Sequence, residues 1–473
     1  MNQPILKLFG FVVALFALLI VFTSRWTVFE SKALQNNPLN VRTLLDELKI
    51  KRGQIVADDG TVLAKSVSAK GGIWGRTYPT GSLFSQAVGY SIASLGESAG
   101  LEESYSSELR GAPTGVSSIF GQLGPNPVGD DVYTTLDPGA QRLAQQLLAG
   151  RAGAVVALNP QNGAIKAMYA NPGYNDNNVP AALKGLNGQT VLGRALQGRY
   201  PPGSTFKIVT AAAALDTGRA TPNSTFNGNS PQTVSGVPLQ NDGNASYGQV
   251  TLTDALTYSI NTVFGPLGVT LGRQTMETYM KRFGFYSLPP LDFPPGEMIA
   301  SGERDARGRL LLPTSDQVDI GRMSIGQDKL EVTPLQMAMV ASAVADHGTL
   351  MAPHFARKVV NQDGQTVETI KPTVYSKVMK QSTADELKQM MTRVVEEGTG
   401  QAANLQGVQV AGKTGTATVG TNIDDPWFIG VAPVADPKVV VAVVLEHIPN
   451  GFGGTYAAPI AAQIIKLLLA EHQ

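Results

Sequence analysis

Tyr200-Pro201-Pro202-Gly203-Ser204-Thr205-Phe206-Lys207 runs directly into Ile208-Val209-Thr210-Ala211-Ala212-Ala213-Ala214-Leu215. Pro and Gly punctuate the chain, and the apolar, alanine-rich run behind them has the propensity and length of a buried helix. A helix opening at Ser204 aims unpaired backbone N–H groups and the positive end of its dipole at that serine. Lys207, three residues on, falls on the same helical face. A serine hydroxyl is a weak nucleophile, and a neighbouring amine takes its proton only when that amine is neutral. Burial and a second cation both drive a lysine toward the neutral form.

Ser-x-x-Lys alone also reads as a helix cap followed by a solvated charge, since chance yields about one or two in a chain this long. Two further stretches decide between the readings. Ser259-Ile260-Asn261 follows 55 residues after Ser204 (259 minus 204). Lys413-Thr414-Gly415-Thr416-Ala417 follows 154 residues after that (413 minus 259), at the end of the strand-like Val408-Gln409-Val410-Ala411. S-x-x-K with S-D-N and K-T-G is the signature of penicillin-binding proteins and class A β-lactamases. The chain resembles a penicillin-binding protein, and Ile260 in place of Asp keeps the Ser-x-Asn form used in that family.

Other stretches narrow the resemblance to class B. They are Arg52-Gly53-Gln54-Ile55 with Gly60, Leu63 and Ala64, then Gly100-Leu101-Glu102-Glu103-Ser104-Tyr105 and Leu109-Arg110-Gly111. Ser324-Ile325-Gly326-Gln327, Val332-Thr333-Pro334-Leu335-Gln336, Glu397-Gly398-Thr399-Gly400 and Ala457-Ala458-Pro459-Ile460 continue it to the C-terminal helix. Packing and turn formation are the default roles of these residues. Ala57-Asp58 stands where the family usually carries Asp-Arg.

The 473 residues carry 37 basic and 37 acidic side chains and no cysteine. Zero net charge gives no basic field for nucleic acid, and a chain without thiols has neither a disulfide framework nor thiol chemistry. No pair of the four histidines, His347, His354, His447 and His472, has metal-ligand spacing. No metal or other cofactor is expected.

Residues 8–23 are uncharged, and Ile5 and Leu6 extend the apolar run past Lys7. A span needs about 20 residues, with Lys7 snorkelling to the headgroups. A cleaved signal peptide is the rival reading. Ser24-Arg25-Trp26 follows instead of an Ala-x-Ala-like site, which favours an uncleaved anchor in the cytoplasmic membrane. Lys7 faces Arg25 and Lys32 across the span, so the family resemblance, not the charges, puts the remainder outside the cytoplasm.

The domain reading is residues 1–24 as cytoplasmic residues and single-pass anchor, 25–137 as a short pedestal and linker module, and 138–473 as the transpeptidase domain. Asp137-Pro138 reads as a helix cap and first turn. Residues 153–158 and 164–169 read as a hairpin, residues 427–432 and 438–445 as strands, and Ala458 to Ala470 as a last helix. Residues 218–250, rich in Asn, Gly, Ser and Pro, read as a surface excursion. Strands at both ends with helices between imply one α+β domain. The resemblance specifies it as the penicillin-binding, serine β-lactamase-like fold, with a five-stranded antiparallel sheet and a helical block.

What the resemblance implies for chemistry is a D,D-transpeptidase of cell wall synthesis. Ser204 attacks, Lys207 is its base, Ser259 relays the proton, and Lys413 lowers the Lys207 pKa and holds the ligand carboxylate. Backbone N–H groups of Ser204 and Thr416 form the oxyanion hole. Asn261 binds the acyl-side amide and Thr414 and Thr416 the terminal carboxylate, with Gly415 between them also among the substrate-binding residues. The implied partners are stem peptides ending in D-Ala-D-Ala, β-lactam antibiotics and a SEDS-family glycan polymerase. A D,D-carboxypeptidase, a β-lactamase, a β-lactam sensor and a polymerase scaffold are the alternatives. No Glu-x-x-Leu-Asn stretch follows Ser259, so the class A β-lactamase deacylating base has no counterpart. Family sensors usually have several membrane segments, which disfavours that reading.

Overall fold

The computed structural model describes residues 3–25, 47–111, 128–184 and 191–470. Lys32 and the module stretches 26–46 and 112–127 lie outside the described residues. Helix α1, Gln3–Ser24, has 22 residues and a mean hydropathy of 2.8 over its most apolar window. At 1.5 Å per residue it is roughly 33 Å long, enough to cross a bilayer core.

The N-terminal module is built on β1 (Ile55–Val56), β2 (Val62–Ala69), β3 (Ile73–Thr77) and β4 (Asp131–Thr134). Beneath them lies Glu102, a carboxylate with no exposed surface. It takes Arg52 at 3.0 Å and Arg76 at 2.5 Å. Removing the acid from such a triad leaves two buried guanidinium groups without their counter-ion. Glu102→Ala is therefore expected to cost about 3–5 kcal/mol. A urea-unfolding midpoint unchanged from wild type would contradict that assignment.

In the main domain, α2 (Pro138–Leu148) starts as its sequence reads, with Asp137 accepting from Ala140 N at 2.7 Å. The hairpin of β5 (Gly153–Leu158) and β6 (Ile165–Asn171) follows. The central helices are α3 (Lys207–Asp216), α4 (Leu252–Thr257), α5 (Asn261–Leu271) and α6 (Pro334–Ala345). Next come β7 (Ala356–Val360), β8 (Thr366–Thr369) and α7 (Gln381–Glu396). The chain closes with β9 (Ala411–Gly420), β10 (Ile423–Ala432), β11 (Val439–Leu445), the two-residue β12 (Ile448–Pro449) and α8 (Ala458–Ala470).

The main sheet has the order β9-β10-β11-β5-β6, antiparallel throughout, and β12 pairs with β10 on its β11 edge, opposite β9. Both faces are covered. Val155, Ala157, Val441 and Val443 pack among residues of α2 and α8, while Ala154, Val156, Val440 and Ala442 join the cluster holding α3 and α6. This is why β11 reads as an unbroken apolar run and not as an alternation.

The sheet of the N-terminal module does not end at residue 137. Its order is β8-β7-β4-β1-β2-β3, so two strands encoded between the second and third catalytic motifs complete it. Asp58 adds side-chain ties, taking Lys166 of β6 at 2.8 Å and Arg357 of β7 at 2.7 Å. The acidic residue at this position thus braces the module against the main domain.

Candidate active site

Helix α3 opens at Lys207, three residues later than the sequence suggests. Gly203–Phe206 form a 3₁₀ turn, and the ten residues of α3 are all buried. Two prolines without N–H groups lead into Gly203 at φ +52°, so the chain turns tightly before helical bonding begins. Thr205 Oγ1 donates to the Pro202 carbonyl at 2.7 Å. Ser204 is left half-buried on a cleft of about 730 Å³.

Backbone packing holds the serine turn. Gly203 N–H donates to Gly326 O at 3.0 Å, and a methyl group on Gly326 would lie 1.9 Å from the Gly203 oxygen. A methyl group on Gly203 would lie 2.7 Å from the Thr416 oxygen, and one on Gly415 2.7 Å from the Pro202 oxygen. Edge strand β9 therefore lies directly against the turn. From β10, Trp427 Nε1 donates to Pro201 O at 3.0 Å.

Ser259 arrives from another direction. A capping box between Thr251 and Asp254 starts α4, and the chain then leaves helical geometry at Ser259, φ +60°, before α5 begins at Asn261. A non-glycine residue in that conformation costs about 1–3 kcal/mol and persists where the surroundings over-determine it. Here it brings two Ser259 oxygens to one lysine. Lys207 Nζ donates to Ser259 O at 2.7 Å, lies 3.1 Å from Ser259 Oγ and donates to Asn261 Oδ1 at 2.7 Å.

Lys413, near the start of β9, reaches the same hydroxyl. Its Nζ lies 3.0 Å from Ser259 Oγ and donates to Thr414 O at 3.0 Å. Both lysines are fully buried. Burial holds the Lys207 ammonium well below a lysine's ordinary range and the Lys413 charge adds to this, against a weaker pull from Asp242. Burial also pushes Lys413 down, to about 7. A neutral Lys207 has two N–H bonds, for Ser259 O and Asn261 Oδ1, and a lone pair left to accept a hydroxyl proton.

Ser204, Ser259, Asn261, Thr414 and Thr416 line the cleft, with Lys207 and Lys413 beneath it. Gly415 instead backs onto Pro202. Asn261 Nδ2 donates to Gln240 O at 2.9 Å, which fixes the amide orientation and leaves its second N–H for a ligand. Thr414 Oγ1 shares a 2.6 Å hydrogen bond with Thr399 Oγ1, and Gly453 N–H donates to Thr416 Oγ1 at 3.4 Å.

Several cleft residues escape a reading of the sequence. Thr399 is brought in because Gly398 packs on Thr257, where a methyl group would come within 2.3 Å of the carbonyl oxygen. The stretch expected as a surface excursion supplies a cleft wall. Asn241 Oδ1 accepts from Thr262 N at 2.9 Å and from Thr262 Oγ1 at 3.0 Å, pinning residues 240–242 to the start of α5. Asp242, Tyr258 and Phe452 also line the cleft. The signal that finds Thr399 is its Gly-Thr-Gly setting; Asp242 has no local signal.

Residues 153–466 match the family model of the penicillin binding protein transpeptidase domain, and residues 52–122 that of the penicillin binding protein A dimerisation domain. The chain is 33% identical to the peptidoglycan D,D-transpeptidase PbpA of Mycolicibacterium smegmatis, over 100% of both chains. It is 31% identical to that of Mycobacterium tuberculosis, over 99% of each. The fold matches the ceftriaxone acyl-enzyme complex of penicillin-binding protein A from M. tuberculosis with a TM-score of 0.80 and 31% identity, over 89% of this chain and 99% of that one. A D,D-transpeptidase domain from Eggerthella lenta matches with a TM-score of 0.78 and 34% identity, over 90% and 99%.

Proposed function

The chain belongs to the class B penicillin-binding proteins, and from that premise we propose how it works as a serine-type peptidoglycan D,D-transpeptidase. The observation that carries the reading is the meeting of two buried lysines on one serine hydroxyl, 3.1 Å and 3.0 Å from Ser259 Oγ, beneath the cleft that holds Ser204.

Neutral Lys207 takes the Ser204 proton as Oγ attacks the penultimate D-Ala carbonyl of a donor stem. Negative charge on the tetrahedral oxygen falls to the N–H groups of Ser204 and Thr416, fixed dipoles in a site that needs little reorganisation. The proton passes through Ser259 to the departing D-Ala nitrogen, and the carbonyl carbon stays on Ser204 as an ester. Lys413, Thr414 and Thr416 hold the terminal carboxylate, while the free N–H of Asn261 holds the acyl-side amide. An acceptor amine then attacks the ester, and the same groups run in reverse to restore the Ser204 hydroxyl.

Domain limits follow from the same reading. Residues 1–24 anchor the chain as one span, 25–137 form the pedestal, and 138–473 hold the extracytoplasmic transpeptidase. A SEDS-family polymerase is the partner that would present nascent glycan to it. Purified protein supplied with lipid-linked glycan strands, donor and acceptor stems and a polymerase is expected to yield cross-linked muropeptides. Trimmed stems without cross-links would assign a carboxypeptidase instead.

A further inference from the structure

Tyr200, Arg194 and Glu446 form a largely buried knot that no step of the proposed mechanism uses, and none of the three lines the cleft. The Tyr200 hydroxyl donates to Glu446 Oε1 at 2.5 Å, and Arg194 Nε donates to the same oxygen at 2.7 Å. Tyr200 is 5% exposed, and the Arg194 and Glu446 side chains are 12% and 14% exposed. The carboxylate is itself held in place, because Glu446 directly follows β11 and its N–H donates to Ala152 O at 2.8 Å. Burial and the Glu446 charge keep the Tyr200 hydroxyl well above the ordinary phenol range, so at neutral pH it is always a donor.

Tyr200 stands four residues before Ser204. Its backbone exchanges hydrogen bonds with Val332 at 3.1 Å and 2.9 Å, and its ring meets that of Trp427 edge to face, centroids 5.9 Å apart. Trp427 in turn lies opposite Gly415 in the β9–β10 ladder. Between Tyr200 and Gly203 come only Pro201 and Pro202, whose locked φ angles make a stiff spacer. A shift of Tyr200 is therefore passed on to the serine turn and not absorbed on the way.

We infer that Glu446, acting through the Tyr200 hydroxyl, is a positioning residue for the Ser204 turn and keeps the Ser204 N–H aligned with that of Thr416 for the developing oxyanion. The inference rests on the transpeptidase reading and adds to it a residue that touches neither substrate nor nucleophile. A misplacement of about 1 Å at the reacting groups can cost roughly 100-fold in rate. Lys413 and Thr414 keep their own places on β9, so the loss falls on the chemical step and not on the first binding of the ligand.

The test follows acylation of the full chain by a penicillin in stopped flow. It separates the limiting acylation rate from the dissociation constant of the first complex, and counts rates per chain that labels. Tyr200→Phe keeps the ring against Trp427 and removes only the hydroxyl. It is expected to lower the limiting rate on the order of tenfold and to leave the dissociation constant unchanged. Glu446→Ala is expected to be at least as slow, and Glu446→Gln, which still offers Tyr200 an oxygen, to recover most of the rate. Combining Tyr200→Phe with Glu446→Ala is expected to be no slower than Glu446→Ala alone, because both remove the same contact. An unchanged limiting rate in Tyr200→Phe, or Glu446→Gln as slow as Glu446→Ala, would overturn the inference. So would a smaller labelled fraction with an intact rate per labelled chain, which is the mark of a merely structural role. A wild-type chain that a β-lactam does not label at Ser204 would overturn the transpeptidase reading itself, and the positioning role with it.

Discussion

Lys207→Arg abolishes acylation of Ser204 by a β-lactam, while Lys413→Arg keeps a measurable rate. The two lysines share one serine hydroxyl, but the roles proposed for them need opposite protonation states. Lys207 must be neutral to take a proton, and guanidinium does not deprotonate in proteins. Loss of a positioned base costs about 10²–10⁴-fold, and a fixed charge in its place adds to that. Lys413 must be charged, which arginine preserves. The second-order acylation rate then rises with pH as Lys207 loses its proton, its pKa being held well below the ordinary lysine range. It falls again as Lys413, pushed down to about 7, loses its own. The two limbs belong to the coupled pair. Lys413→Arg should erase the falling limb, because the replacement keeps its charge. Stopped-flow labelling with a fluorescent penicillin across pH reads both effects. Equal loss in the two variants would leave Lys207 without its assigned role.

Mixed with a penicillin, the wild-type chain gains one ligand mass on the peptide carrying Ser204 and retains it; Ser204→Ala gains none. In the proposed mechanism the ring carbonyl takes the place of the penultimate D-Ala carbonyl, with the drug carboxylate toward Lys413, Thr414 and Thr416. Ring opening keeps the departing nitrogen tethered to the acyl group, so it stays where an amine or water has to enter. Among the described residues no glutamate lines the cleft to activate water. Acylation therefore outruns hydrolysis. Intact-protein mass spectrometry, followed by peptide mapping, measures this directly. Rapid turnover without an adduct would point to a β-lactamase, and a label on another serine would remove Ser204 from its role.

The three motifs were legible because the chemistry needs particular residue types at recognisable positions, and two of the motifs stand at a turn or helix start. Less visible was the backbone that holds them. Lys413 reads as the end of a strand, yet β9 runs from Ala411 through Gly420. Its glycines, which suggest a turn, answer to packing: a methyl group on Gly412 would lie 2.4 Å from Phe428 Cζ. The positive φ of Ser259 is equally silent, since it comes from contacts on either side and not from the local preference of serine. Residues 240–242 sit in a polar, glycine-rich stretch that matches any surface loop. What turns them into a wall is Thr262, some 20 positions away, which only the folded chain brings to Asn241.

The shared sheet of β7, β8 and the N-terminal strands has a bearing on inheritance. Family models meet this chain as two segments, which invites the picture of modules that recombine freely. Strands β7 and β8, encoded more than 200 residues after β4 (356 minus 134), tie the two segments into one sheet. A gene fusion that joined a pedestal without a strand to fit β7 to residues 138–473 would leave β7 with a bare edge, and the orphaned β4 would carry its own. Unpaired edges of this kind recruit other chains into aggregates. A substitution in β4 is therefore felt directly by its neighbour in β7. Exchange between relatives should succeed only when residues 356–369 travel with the N-terminal segment.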